Sequence, residues 1–134
     1  LAKVPVVGQQ AAEYWQSLFA RYSRPAEPEH FFLVAVAPRG AADTVLGFIL
    51  GEIRAWEFGS APCGWIYALT VQPEKRLRGL GQGLFDAICA EFNRLGVNKT
   101  RTMVARENRL LLMFFRATGM MAGPYIELER ELDG

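Results

Sequence analysis

Val71–Phe85 reads VQPEKRLRGLGQGLF. A proline ends whatever precedes it, three cations follow, glycines stand at 79, 81 and 83, and an apolar helical pattern begins at once. Glycine lets backbone approach a partner closely, because no Cβ intervenes. Lys75, Arg76 and Arg78 ask for an anion, and the unpaired N–H groups of a helix start ask for the same thing. The segment therefore predicts a strand–loop–helix unit that grips phosphate.

Working outward, WIYALTVQP, from Trp65, reads as the strand that feeds this loop and stops at Pro73. Upstream of the GSAPCG turn, HFFLVAVAP (from His30) and DTVLGFILGEIRAWEF (from Asp43) read as two further strands, joined by a turn around Arg39 and Gly40. In QQAAEYWQSLFARY, Ala12, Trp15, Leu18, Phe19 and Tyr22 share one helical face, and SRPAEPE then breaks the pattern with two prolines. Downstream, Leu84, Ile88, Phe92 and Leu95 form the stripe of a helix, with Gly96 placed to cap it. KTRTMVARE (from Lys99) reads as a strand. Asn108, a good N-cap, opens a second helix that stops near Gly119. YIELEREL, from Tyr125, alternates like a half-solvated strand. Antiparallel strands followed by strand–helix–strand–helix–strand make an α+β (α/β sandwich) fold with a mixed sheet.

The 134 residues, 51% hydrophobic and 22% charged, fit one domain, 1–134, with a real core. A net charge of +1 argues against a nucleic-acid partner, so the loop cations act locally. No apolar run has the length of a membrane span and no signal-peptide layout is visible, which points to a cytoplasmic protein without a membrane partner. Cys63 and Cys89 lack metal spacing and read as reduced structural thiols; no metal is expected. The chain starts at Leu1 rather than Met, so its natural N-terminus is expected upstream.

Glycines in a turn are common, but these follow a strand, open a helix and carry cations. The Gly-Lys-Ser/Thr of a nucleoside-triphosphate loop is missing, and the loop comes too late in the chain for a dinucleotide fold. The segment resembles the acyl-CoA pyrophosphate loop of the GNAT superfamily of N-acetyltransferases, whose pattern is Arg/Gln-x-x-Gly-x-Gly/Ala. Arg76, Gly79 and Gly81 fill its defining positions. Asn108, Phe114, Gly119 and Met120 match a second pattern of that family, Asn…Phe-Tyr…Gly-Phe, at the same spacing. The resemblance covers Asp43 to Leu132 well and the N-terminal part loosely.

The resemblance implies a GNAT-like mixed, mostly antiparallel central sheet with helices on both faces, and an acetyl-CoA-dependent N-acetyltransferase. Main-chain groups of Leu69, Thr70 and Val71 would pair with pantetheine as if it were an added strand. Arg76 and the amides of Leu77, Arg78, Gly79, Leu80, Gly81, Gln82 and Gly83 would cradle the pyrophosphate, with Asn108 and Phe115 completing the cofactor contacts. The acceptor implied is a primary amine of a small molecule or peptide, attacking directly; a homodimer is compatible.

Transfer to an amine needs a base for the amine proton and a proton for the departing thiolate. The family commonly uses a tyrosine for the second task, and Phe115 stands in its place. Tyr67 and Tyr125 are the candidates instead, or else half-buried strand aromatics. Met103 occupies the position of an acid found in one group of the family, which leaves Glu52 and Glu127, or a water chain. Glu52 is either the base or a solvent-facing acid of an alternating strand. His30 reads as a surface loop residue. Trp56, Phe58, Trp65 and Tyr67 would rim the acceptor side, or simply fill the core. An acyl-CoA-binding module of the same fold, with transfer lost, is the alternative that Phe115 permits.

Overall fold

The structure is a computed structural model that describes residues 30–36, 45–72 and 79–133. β1 (His30–Val36), β2 (Val45–Arg54) and β3 (Cys63–Val71) form an antiparallel meander, and β4 (Thr100–Thr102) pairs parallel to β3, in the order β1-β2-β3-β4. A parallel neighbour needs a crossover, and α1 (Leu80–Arg94) supplies it. α2 (Arg109–Ala117) follows β4. The mixed, mostly antiparallel sheet expected from the sequence is present.

Both helices are bounded as their sequences require. Asn108 accepts a hydrogen bond from Leu111 N at 3.2 Å through Oδ1, satisfying one orphan donor of α2. Each helix ends in the same device. Val97 N reaches Phe92 O at 3.0 Å and Gly96 N reaches Asn93 O at 3.0 Å; Met120 N and Gly119 N repeat the pattern with Phe115 O and Arg116 O. Gly96 and Gly119 have φ of 84° and 102°, the left-handed turn this closure demands.

α1 lies on the sheet face of Phe31, Ile49 and Ile66, where it buries Leu84, Phe85, Ile88 and Phe92. The approach is close enough that a Cβ on Gly64 would stand 2.2 Å from the Phe92 ring, so only glycine fits there. Leu111 and Phe115 of α2 join the same cluster. The other face carries a smaller cluster of Leu50 and Ala68 with Phe32, Phe48 and Tyr67 against it. The described helices thus contribute to one cluster; the helix expected across Ala12–Tyr22 lies outside the described residues, as does the turn at Arg39 and Gly40.

Three expectations are corrected. The second strand was expected to reach Phe58 but ends at Arg54, and a 3-10 turn (Glu57–Gly59) follows, with Trp56 and Phe58 in the left-handed region at φ 62° and 54°. The strand expected over Lys99–Glu107 is ordered as a ladder only at Thr100–Thr102, because β3 offers it partners only at Gly64–Ile66. Tyr125–Leu132 is not a strand: its alternation is intact but no ladder forms, and Ile126, Leu128 and Leu132 are exposed. Alternation specifies which residues could share a face; it cannot supply the neighbouring strand.

Candidate functional site

The site is organised by a defect in β3. Leu50 pairs with Ala68 but Gly51 pairs with Ile66, so Tyr67 is an extra residue, a β-bulge. The bulge brings consecutive residues, Tyr67 and Ala68, into the same small cluster. Pairing with β4 stops at the same point, where Thr102 Oγ1 donates to Ile66 O at 2.8 Å. Beyond the bulge, Tyr67–Val71 keeps β2 on one side and has no described strand on the other. That open edge includes Leu69, Thr70 and Val71. It is the kind of edge to which an extended ligand can add as a strand.

At the far end of β3 stands the start of α1. Gly79 occupies its N-cap with φ 72°, a conformation costly for any other residue, and no side chain caps the helix. Gly83 N donates to Gly79 O at 3.0 Å. The N–H groups of Leu80, Gly81 and Gln82 precede that first helical bond and have no partner within the helix, which leaves them able to donate to an anion. Gly83 is therefore not one of the free donors expected of it. Arg76, Leu77 and Arg78 lie outside the described residues, with Lys75 and Pro73. Asn108 spends its side-chain oxygen on the α2 cap. Phe115 was expected to touch the cofactor, but it is 3% exposed and packs against Phe85 and Phe114. A residue turned so fully into the core offers no face to a ligand.

Side chains gather at the bulge itself. Glu52 is 6% exposed, so it is not a solvated strand residue. His30, its cross-strand partner on β1, meets it with Nε2 at 2.7 Å from Oε2. The Tyr67 hydroxyl also hydrogen-bonds Glu52, and it accepts from Arg54 Nη1 at 2.5 Å. Arg54 Nε donates to Glu57 Oε1 at 2.6 Å. His30, Glu52, Tyr67, Arg54 and Glu57 thus form one chain of polar contacts across three strands. Burial pushes the Tyr67 phenol above its ordinary value, the Glu52 charge adds to this, and Arg54 opposes it; the phenol stays protonated at neutral pH.

The sequence suggested Glu52 and Tyr67 separately, and the structure brings them together. It also adds His30, which the sequence placed in a loop, and Arg54. Nothing in a linear pattern marks either, since both enter through cross-strand register. Glu127 and Tyr125 are elsewhere, on the exposed tail; the Tyr125 hydroxyl lies 3.4 Å from Phe58 O, and its ring lies under Arg101. Cys63 opens β3, buried, rather than sitting in a turn; Cys89 is half-buried on α1, and burial aided by Asp86 pushes its thiol up to about 11. A thiol so protonated is no nucleophile at neutral pH.

Aromatic rings surround the polar chain. Trp65 and Tyr67 stack at 6.3 Å, and the Arg54 guanidinium lies 5.6 Å from the Trp65 centroid. Trp56 and Phe58 are exposed beside them. A cavity of about 860 Å³ opens between β4 and the C-terminal tail, with Phe58, Trp65, Met103 and Tyr125 among its walls. It does not coincide with the open edge of β3 but shares Trp65 with the bulge cluster.

A model of the acetyltransferase (GNAT) family matches residues 5–120. No curated protein matches in sequence. Among solved structures, the aminoglycoside antibiotic 6'-N-acetyltransferase AAC(6')-Ih from Acinetobacter baumannii is similar with a TM-score of 0.73 at 15% identity, over 98% of this chain and 86% of that one. An aminoglycoside acetyltransferase from an uncultured soil metagenomic sample, solved with trehalose, gives 0.66 at 16%, over 99% and 80%. The aminoglycoside N-acetyltransferase AAC(6')-Iy in complex with CoA gives 0.67 at 18%, over 93% and 91%. At such identities the likeness is one of fold.

Proposed function

The chain belongs to the acetyltransferase (GNAT) family, and from that premise we propose that it transfers the acetyl group of acetyl-CoA to a primary amine of a small molecule or peptide by direct attack. The observation that carries this reading is the coincidence at the β3 bulge of an open strand edge and a buried carboxylate with hydrogen-bond partners. The open edge at Leu69, Thr70 and Val71 fits an extended pantetheine arm, and the free donors of Leu80, Gly81 and Gln82 fit a pyrophosphate. Acetyl-CoA supplies an activated thioester, at whose carbonyl carbon the C–N bond forms as the C–S bond breaks.

Glu52 accepts the proton that the amine loses. His30 and Tyr67 hold its carboxylate in place, so the group that takes the proton is oriented before the amine arrives. Tyr67, kept protonated, is a donor rather than a base. Its hydroxyl passes between Arg54 and Glu52 and suits it to stabilise charge at the bulge. The thiolate that departs takes its proton from solvent, a thiol of ordinary pKa about 8.5 being an adequate leaving group. Phe115, deep in the core, has no part in this.

The test is steady-state release of CoA thiol from acetyl-CoA in the presence of a panel of primary amines, with the acetylated product identified by mass. Amine-dependent release with N-acetyl product is expected. Acetyl-CoA binding without any transfer would leave only the binding-module alternative.

A further inference from the structure

Trp56 and Phe58 are 70% and 71% exposed, and both adopt left-handed backbone. A bulky aromatic residue in that region is a genuine outlier, costly to hold and found mostly where function requires it. Here the cost is incurred twice within three residues, with the result that two apolar rings stand out in water. The turn that holds them is fixed by Arg54, bonded to Glu57, so the display is built rather than accidental.

Phe58 leads directly into the cavity between β4 and the tail. Its ring meets Tyr125 at 5.9 Å, and Trp65 and Met103 complete that end of the wall. Aromatic rings and a thioether form favourable surfaces for another flat ring. The charged groups of the wall are Lys99, Arg101 and Glu127, a surplus of one cation, which disfavours a polycationic guest. One polar atom of a wall residue is buried without a partner, the donor Trp65 Nε1, and so is the acceptor Glu57 Oε2 on the residue before Phe58, itself outside the wall. Buried orphans of this kind call for an explanation, and a ligand is one. Trp65 connects the cavity to the chemistry, because it lies on β3 opposite Glu52 of β2.

We propose that the acceptor is an amine borne on an aryl group, with the ring seated against Phe58, Trp65 and Tyr125 and the amine reaching Glu52. This rests on the reading of Glu52 as the base, and it departs from the polycationic aminosugars named for the structurally similar enzymes. The short tether of an arylalkylamine suits the arrangement, since one residue, Trp65, borders both the ring site and the carboxylate.

The experiment compares kcat/KM for 2-phenylethylamine, butylamine and kanamycin, in the parent and in Phe58→Ala and Phe58→Leu, together with equilibrium binding of 2-phenylethylamine read by tryptophan fluorescence. In the parent, 2-phenylethylamine should exceed butylamine by about tenfold or more, from ring burial and aromatic contact, and kanamycin should be the poorest. Phe58→Ala should collapse the aryl preference, and Phe58→Leu should restore only part of it. Because Phe58 is exposed, neither change threatens the fold. Equal rates for the phenyl and butyl amines, preference for kanamycin, or an aryl preference that survives Phe58→Ala would each overturn the proposal. Saturable fluorescence change without transfer upholds the aryl site and sinks the transferase reading; transfer to butylamine with no aryl preference does the reverse.

Discussion

At the α1 end of β3, every described group offered to a ligand is main chain: the open strand edge and the N–H groups of Leu80, Gly81 and Gln82. At the bulge the groups are side chains: His30, Glu52, Arg54, Tyr67 and Glu57, drawn from three strands and a turn. On the proposed reading the first arrangement serves something invariant, an extended arm and a diphosphate, and needs only backbone conformation to do so. The second, on the same reading, handles one proton and a variable partner, and it needs particular atoms at particular places. A backbone site tolerates change in side-chain identity as long as glycine stands at 79, where φ is 72°. A side-chain site fails when one atom changes.

That contrast predicts its own largest effect. Glu52→Gln keeps the shape of the side chain but removes its charge and its capacity to take a proton. Turnover should fall by about 100-fold or more, the lower range of general-base contributions, while acetyl-CoA affinity measured by calorimetry stays where it was. A variant with parental turnover would remove Glu52 from the chemistry and leave the task to a water chain. An equal loss of cofactor affinity would show that the two ends are not separable.

The reciprocal change is Gly83→Glu. A Cβ there has nothing among the described residues within 4 Å, and glutamate is a better helix former than glycine. The new carboxylate sits in the first turn of α1, where the helix itself welcomes negative charge and a bound pyrophosphate does not. Acetyl-CoA affinity should drop by roughly tenfold, with the melting temperature unchanged or slightly raised. Weaker binding accompanied by a lower melting temperature would mean damage to the helix rather than repulsion. Intact binding would place the anion elsewhere.

The same contrast explains what could be read from the chain alone. The α1 end of β3 is written locally: Gly79 takes a φ of 72° that glycine adopts without strain, the helix stripe begins at Leu84, and Asn108 and Gly119 bracket α2, so spacing suffices. The bulge is not local. Tyr67 becomes the extra residue only because Gly51 skips it to pair with Ile66, and His30 reaches Glu52 only through the β1–β2 register. Neither fact is visible in the alternation of a single strand, which for Glu52 was equally consistent with solvent. Phe115 shows the opposite failure. A position matched by resemblance carried a role that its burial denies. The tail from Tyr125 kept its alternating pattern without the neighbour that would turn pattern into strand.

A smaller effect tests the bulge through stability alone. Burial and Glu52 raise the Tyr67 pKa in the folded chain, so folding favours the protonated phenol. That contribution is complete below the unfolded value of about 10 and is lost as pH climbs through the higher folded value. The parent should therefore lose stability more steeply than Tyr67→Phe between pH 9 and 11, about one to either side of that reference. Melting curves across this range check it. Parallel pH dependence in the two proteins would mean that Tyr67 titrates as though it were in water, and that the Arg54–Tyr67–Glu52 chain is open.

The smallest change should come from Phe115→Tyr, which restores the hydroxyl that resemblance to the family calls for. If position 115 faced the thioester, the new phenol would donate a proton and raise turnover. The structure puts this ring between Phe85 and Phe114 at 3% exposure, where a hydroxyl adds volume to a packed core and brings a polar atom with no partner. Burying an unpaired hydroxyl costs about 1–3 kcal/mol on the scale of protein mutations. The expected outcome is a melting temperature lowered by several degrees, at roughly 4 °C per kcal/mol, between the values for smaller and larger domains, and kcat within about twofold of the parent at a temperature where both are folded. A clear rise in kcat would reopen the family's proton donor at this position and require α2 to turn its Phe115 face toward the open edge of β3. A lower melting temperature with unchanged kcat keeps the two functions apart: α2 supports the sheet, and the bulge does the chemistry.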